Sequence, residues 1–401
     1  MKILIVTSPN SLSHILKAKS IGQTLIGHGH DVHYATTPKY AHCFKNRFHP
    51  IPDIQESDMS SFPTFNWYSD EASIQKCVKA EYDLINEVIP DLVIGIFRFT
   101  TKTAAKMANV PFYSVASGCI LPNQKTTLGF HDSEEDNENQ RYYLKCFNEF
   151  ATHKLNKVRK SFGITPSENI LNQLKGDMTF LWDFEDFYTP NADYQYQHIG
   201  PVEVSNLLPE ETNFSAIEKC SKPKVLISLG TCNTSTPFIS RMVNIMLDLG
   251  YAVILCLGKN DALRSKFKKN SDVFPYEFIQ FKQALEFCEF VICHGGQLTL
   301  FEAFEKQVPA LIFPFHPEQA QNGICAESIN CGQRLVDSTV FSGNSEVYIN
   351  RFMQLSDDEI KEKIIKLINC PASKQSLERI SQVIKKLPGE AGIAEYIGKV
   401  A

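Results

Sequence analysis

The stretch from Phe290 to Asn322, FVICHGGQLTLFEAFEKQVPALIFPFHPEQAQN, constrains the fold of this chain more than any other. It opens on a short apolar run, Phe290 to Cys293, of the kind that forms a strand buried on both faces. His294-Gly295-Gly296 breaks that run. Helical spacing resumes from Thr299 to Lys306, with Leu300, Phe301 and Phe304 recurring on one side. A second apolar strand, Ala310 to Phe313, closes a strand–helix–strand unit, and Glu318-Gln319 is expected on the loop after it. A glycine turn between a buried strand and a helix leaves unpaired N–H groups at the helix start, which with the helix dipole make an anion seat. Both loops fall at strand carboxyl ends, where open α/β sheets take ligands. The local reading is a diphosphate seat beside a sugar clamp.

The pattern HGG-x-x-T-x-x-E, then an apolar strand, Pro314, Glu318-Gln319 and Asn322, resembles the donor-binding signature of family-1 GT-B glycosyltransferases, the group holding plant, macrolide and glucuronosyl transferases. The resemblance implies an α/β protein of two Rossmann-like, doubly wound parallel-sheet domains facing across a cleft. It implies that His294 contacts a diphosphate, with Gly295, Gly296 and Thr299 offering backbone or hydroxyl hydrogen bonds. Glu302 would hold the ribose hydroxyls, and Glu318 and Gln319 would read the hexose. Gln297 and Leu298 depart from the family's usual residues in the first helical turn.

Bulk properties are compatible with this reading. A chain of 401 residues can hold two ordinary domains, each with its own core. The net charge of −5, without a dominant Lys/Arg cluster, argues against nucleic acid as the main partner. No apolar run approaches the ~18–20 residues that span a bilayer, and Met1 to Val6 is too short for a signal-peptide core. The twelve cysteines are scattered, with no C-x-x-C, and several lie in strand-like runs. Reduced, buried thiols in a cytoplasmic protein are therefore expected.

In the first half, Lys2 to Thr7 reads as a strand and Ser8 to Ser13 as a polar loop. Ile15, Ala18, Gly22, Leu25 and Ile26 then share a helical face that Gly27 ends, and Val32 to Thr36 gives the next strand. No G-x-G-x-x-G accompanies this βαβ opening, so a nicotinamide site has little support. Leu92 to Phe97 and Phe112 to Ala116 supply later strands around a helix at Thr103 to Ala108. SHILKAKSIGQTLIGHGHDVHYATT is similar to the family's opening, and there the resemblance makes His14 the catalytic base. An acceptor hydroxyl needs such an imidazole to take its proton. Ser13 and Lys17 stand where the family usually has Gly and Pro.

The family often backs that base with an Asp on the strand reading PDLVxxD. Here Ile96 occupies the position, and Asp91 begins the strand at its far end. Without a carboxylate His14 would be a weaker base, unless another acid such as Asp70 reaches it. Arg98 either faces the ligand or pairs with a carboxylate. The aromatic-rich stretches Ser61 to Tyr68 and Ile120 to Phe130 read as recognition loops, so Phe65, Trp67 and Phe130 join Arg98 as acceptor-binding candidates. His28, His30 and His33 lack companion ligands at metal spacing, and no metal site is expected.

Further along, His198-Ile199-Gly200-Pro201 is similar to the family's interdomain crossing. The strand Val225 to Ser228 ends in Leu229-Gly230-Thr231, where the resemblance makes Thr231 a second phosphate donor. Phe278-Ile279 would pack on the nucleotide base. The expected domains are 1–190 for the acceptor, 191–223 as linker, 224–385 for the nucleotide sugar, and a C-terminal helix at 386–401 packing back on the first. The resulting expectation is an inverting, metal-independent hexosyltransferase without a cofactor. It would take a nucleotide-diphosphate sugar, UDP- rather than dTDP-linked, and a small apolar or aromatic acceptor. The alternatives are a non-catalytic nucleotide-binding helper and a sugar-nucleotide epimerase. Nothing in the sequence speaks to the oligomeric state.

Overall fold

The structure is a computed structural model that describes residues 1–44, 47–53, 71–121, 137–190, 193–204, 207, 212–230, 235–315, 317–336 and 345–400. The chain divides into two compact units. The first comprises Met1–Thr127, Glu135–Leu207 and Leu387–Ala401, the second Leu128–Glu134 and Leu208–Lys386.

The first unit is built on strands β1 (Lys2–Thr7), β2 (Asp31–Thr36), β3 (Phe48–Pro50), β4 (Leu92–Ile96), β5 (Phe112–Ala116), β6 (Met178–Leu181) and β7 (Tyr196–His198). They pair in parallel in the order β3-β2-β1-β4-β5-β6-β7. Ile3 to Val6 and Val93, Ile94 and Ile96 are fully buried, as continuous apolar runs in a covered parallel sheet must be. The order reverses between β1 and β4, so this sheet's topological switch point lies there, with Thr7 paired to Ile96 and Ser8 N–H donating to the Ile96 carbonyl.

The second unit repeats the plan with β8 (Lys224–Ser228), β9 (Ala252–Cys256), β10 (Val273–Tyr276), β11 (Phe290–Cys293), β12 (Ala310–Ile312) and β13 (Gly332–Arg334). Their order, β10-β9-β8-β11-β12-β13, is again all parallel, and its switch point lies between β8 and β11. Its core stacks Phe238 on Phe313 at 4.1 Å between ring centroids and closes with Phe352 at 4.5 Å from Phe238.

Two expectations change. The segment expected as linker is partly structured: β7 adds to the free edge of β6 and Ser215–Lys219 is a short helix. The two terminal helices divide as the expected boundary has them, Pro371–Lys386 falling in the second unit and Glu390–Val400 in the first. In the first unit Glu390 accepts hydrogen bonds from Ser20 Oγ and the Glu203 N–H, both at 3.1 Å, and Tyr396 meets Phe180 edge-on. Finally, Ile26 is exposed rather than on the buried face of the helix Leu12–Gly27, whose buried residues end at Leu25. Among the described residues no helix is long and apolar enough to cross a membrane.

Candidate active site

In the first unit the residues of interest gather at the β1/β4 switch point. After β1 the chain turns through Ser8 to Ser11, and Ser11 caps the helix Leu12–Gly27 by accepting from the Ser13 N–H. That places His14 in the first turn. Its ring stacks on Phe97 at 4.8 Å between centroids and meets Trp182 at 5.8 Å. Phe97 follows β4 directly and takes a left-handed φ of 48°, a conformation that costs a bulky residue on the order of 1–3 kcal/mol. This turn lays its ring against the imidazole. Trp182 follows β6. Both aromatic rings are buried, and the His14 Nδ1 is buried without a hydrogen-bond partner. Burial first, and then the nearby Lys17 ammonium, lower the His14 pKa from 6.5 to about 3.

No carboxylate among the described residues bonds to His14. Ile96 is buried in the sheet, and Asp91 accepts from the Lys2 N–H at the opposite end of β4. Of the two courses open to Arg98, the structure takes the carboxylate pairing. Its guanidinium is buried, with Nε 2.8 Å from Glu81 Oε1, one terminal nitrogen 3.2 Å from Asp53 and the other donating to the Pro52 carbonyl. Asp70, Phe65, Trp67 and Phe130 lie outside the described residues. Trp182 and Phe97 were not among the sequence candidates, and their only signal is position, each directly after a strand of the sheet.

In the second unit the corresponding ends are those of β8 and β11, which run in register from Phe290 with Val225 to Cys293 with Ser228. His294 follows β11. A Cβ at Gly296 would come within 2.5 Å of His294 Nε2, and one at Gly230, beyond β8, within 3.0 Å of its Cε1. The imidazole is thus wedged between two bare stretches of backbone. Burial lowers the His294 pKa from 6.5 to about 4, against a weaker opposing hydrogen bond to the Ser228 backbone. Gly295 adopts a φ of 88°, and its carbonyl accepts from the buried Asn322 Nδ2 at 2.9 Å. Gly296 then opens the helix Gln297–Glu305, whose first N–H groups have no acceptor within the helix. Thr299 lies in its first turn and Glu302 one turn on, buried.

The Glu318-Gln319 pair is not on a loop: it begins the helix Pro317–Ser328, which starts almost directly after β12. Gln319 is buried with its amide oxygen accepting from the Phe315 N–H at 2.8 Å, so one half of its amide fixes the turn and only the NH2 end is left to face a ligand. Phe278 is largely exposed beyond β10, while Ile279 is buried. Thr231 lies outside the described residues. Among the described residues no group of three or more His, Cys, Asp or Glu side chains could hold a metal ion.

Both histidines titrate lower in the folded chain than in the unfolded one. As pH falls below 6.5 the unfolded chain takes up protons that the folded one refuses until about 4 at His294 and about 3 at His14. Stability is therefore lost toward acid, by on the order of 2 kcal/mol per histidine by pH ~5. Urea unfolding at neutral pH and at pH ~5 should show that loss, and His294→Phe should shrink it.

Residues 234–332 match the profile described as the glycosyltransferase family 28 C-terminal domain. A PGL/p-HBAD biosynthesis rhamnosyltransferase of Mycobacterium bovis is 23% identical over 345 residues, covering 82% of this chain and 76% of that protein. Among solved structures, the kitacinnamycin glycotransferase superposes with a TM-score of 0.76 at 15% identity, covering 99% of this chain and 98% of its own. The spinosyn rhamnosyltransferase SpnG complexed with thymidine diphosphate does so at 0.68 and 16%, covering 99% of this chain and 100% of its own. A family 28 C-terminal match, a sugar-transferring relative over four-fifths of the length and two doubly wound parallel sheets make this chain a glycosyltransferase of the GT-B type.

Proposed function

We propose that the chain is an inverting, metal-independent hexosyltransferase acting on a nucleotide-diphosphate sugar and a small apolar or aromatic acceptor. The observation that carries this reading is the turn at His294. An imidazole held between glycine backbones, the N-terminus of a nine-residue helix and the Thr299 hydroxyl form a preorganised seat for a leaving diphosphate. Glu302, one turn deeper, suits the ribose, and Glu318 with the NH2 end of Gln319 suits the hexose. Phe278, being exposed, offers a face to the base beside Ile279. Thr231, one residue beyond Gly230, belongs to the same proposal by sequence position.

The chemistry then follows from the two histidines. His14 takes the proton of the acceptor hydroxyl, whose oxygen bonds to the anomeric carbon. The bond from that carbon to the phosphate oxygen breaks with its electron pair, and the nucleotide diphosphate leaves on the seat at His294. The stacked Phe97 and the adjacent Trp182 support an acceptor with a flat or apolar body. The thymidine diphosphate in the spinosyn enzyme brings dTDP-sugars level with the UDP-sugars expected from sequence.

A non-catalytic, nucleotide-binding helper is the second reading, and Ile96 in place of an acid beside His14 favours it. A panel of UDP- and dTDP-sugars decides between them. Release of free nucleotide from at least one donor, by slow hydrolysis or transfer, is the expected result. Measurable donor binding with no release from any of them would establish the helper role instead.

A further inference from the structure

His198, which opens the segment His198-Ile199-Gly200-Pro201, has no part in the transfer step. It is the last residue of β7, in register with Leu181 of β6. It therefore stands at the carboxyl edge of the first sheet, where doubly wound sheets take ligands. Two residues past β6, Asp183 places Oδ1 2.9 Å from His198 Nδ1. Its Oδ2 accepts from the Gly118 N–H, past β5, at 2.7 Å. Three neighbouring strand ends thus converge on one fully buried carboxylate.

The arrangement is held from every side. A Cβ at Gly118 would come within 3.0 Å of Asp183 Oδ2, so a side chain there would crowd the carboxylate. Beyond the ladder, the Ile199 N–H donates to the Leu181 carbonyl at 2.8 Å and the Gly200 N–H to the Asp183 carbonyl at 3.1 Å. Neither the carboxylate nor the ring can turn without giving up a hydrogen bond. The far nitrogen of that ring, however, is unused. His198 Nε2 is buried and makes no hydrogen bond, while the side chain as a whole keeps 14% of its surface exposed. An ionised carboxylate only accepts, so Nδ1 is the donor, and a neutral ring then presents a lone pair at Nε2. A buried lone pair without a donor is costly, and one fixed in direction suits an incoming O–H. Trp182, which lies against His14, is the residue before Asp183, so this pair adjoins the proposed base.

We propose that His198 is an acceptor-binding residue: its Nε2 takes a hydrogen bond from a second hydroxyl of the sugar acceptor, one that is not glycosylated, and Asp183 fixes the tautomer able to do so. The acceptor class narrows to molecules with an apolar or aromatic body and at least two hydroxyls, one presented to His14 and one to His198. This rests on the first unit taking the acceptor with His14 as base.

The test uses three aromatic diols of increasing span, resorcinol, dihydroxynaphthalene and dihydroxybiphenyl, each beside its monomethyl ether. Wild type is expected to favour at least one diol over its ether by about tenfold or more in kcat/KM, through KM rather than kcat, well beyond the statistical advantage of a second hydroxyl. His198→Ala should lose that preference, and His198→Phe serves if the Ala variant does not fold. In Asp183→Asn the amide oxygen still accepts from Gly118 while its NH2 donates to Nδ1. The ring then carries its proton on Nε2, and the preference for the diol should narrow in a folded protein. A second readout needs no turnover. The ring-nitrogen NMR shifts of His198 should show an unprotonated Nε2 in the free protein, move on adding the diol and stay in place on adding its dimethyl ether. A protonated Nε2, shifts that answer to no diol, equal use of diol and ether by wild type, or a preference that survives both substitutions overturns the proposal. Asp183 and His198 are then a clasp between strand ends with water at Nε2. Shifts that answer to a diol to which no sugar is transferred uphold the site and remove only the catalytic reading it rests on.

Discussion

Replacing His14 with Ala lowers kcat by about 10²–10⁴-fold and leaves the dissociation constant of the nucleotide diphosphate unchanged, as read by calorimetry beside a coupled transfer assay. The range is that of a lost general base. The split between rate and binding follows from placement: His14 stands at the β1/β4 switch point of the first unit, while the proposed diphosphate seat is built wholly from the second. The substitution also removes a ring stacked on Phe97, so some loss of stability accompanies it. His14→Gln, which fills part of that space without a basic nitrogen, separates the two effects. Full turnover in both variants would remove His14 from the mechanism.

Changing Gly295 to Ala is expected to destabilise the second unit by about 3 kcal/mol and to weaken nucleotide binding tenfold or more. The position combines a φ of 88° with close packing: an added Cβ would lie 2.8 Å from the Gln319 carbonyl oxygen and 2.9 Å from Ile312 Cγ2. Neither neighbour can retreat cheaply, since one is helix backbone and the other a strand side chain. Relief must come from pushing the helix Pro317–Ser328 away from the turn. That strains the bond from Asn322 Nδ2 to the Gly295 carbonyl and displaces Glu318 and Gln319 together. Gly27→Ala is the control, because a Cβ there meets nothing within 4 Å and the helical position prefers Ala by roughly 1 kcal/mol. Wild-type unfolding and nucleotide affinity in the Gly295→Ala protein would show that the turn is not the rigid seat described here.

The elements were legible wherever one physical cause dominated. Runs such as Phe290 to Cys293 and Lys2 to Thr7 are apolar because both faces of a parallel sheet are covered, and that pattern survives any tertiary context. The His-Gly-Gly turn was legible because glycine is demanded by backbone geometry rather than by a partner elsewhere in the chain. The Glu318-Gln319 pair was misassigned to a loop for the converse reason. Helix Pro317–Ser328 has little apolar periodicity, carrying buried Gln321 and Asn322 on its inner face, so its helical character comes from packing against the turn.

What surrounds His14 lay beyond the sequence. Phe97 and Trp182 are 83 and 168 positions away along the chain, and they meet the imidazole only because β1, β4 and β6 end at the same edge of one sheet. Arg98 had two equally open readings until Glu81 and Asp53 were brought to it from a helix and a loop earlier in the chain. By itself the sequence determined the two parallel sheets, the turn at Gly295 and the residue types able to seat a diphosphate, all of them local consequences of burial and backbone freedom. Only the tertiary structure decided which rings pack on His14, because such partners are set by distance in space, and for Phe97 and Trp182 that distance is decided by strand order.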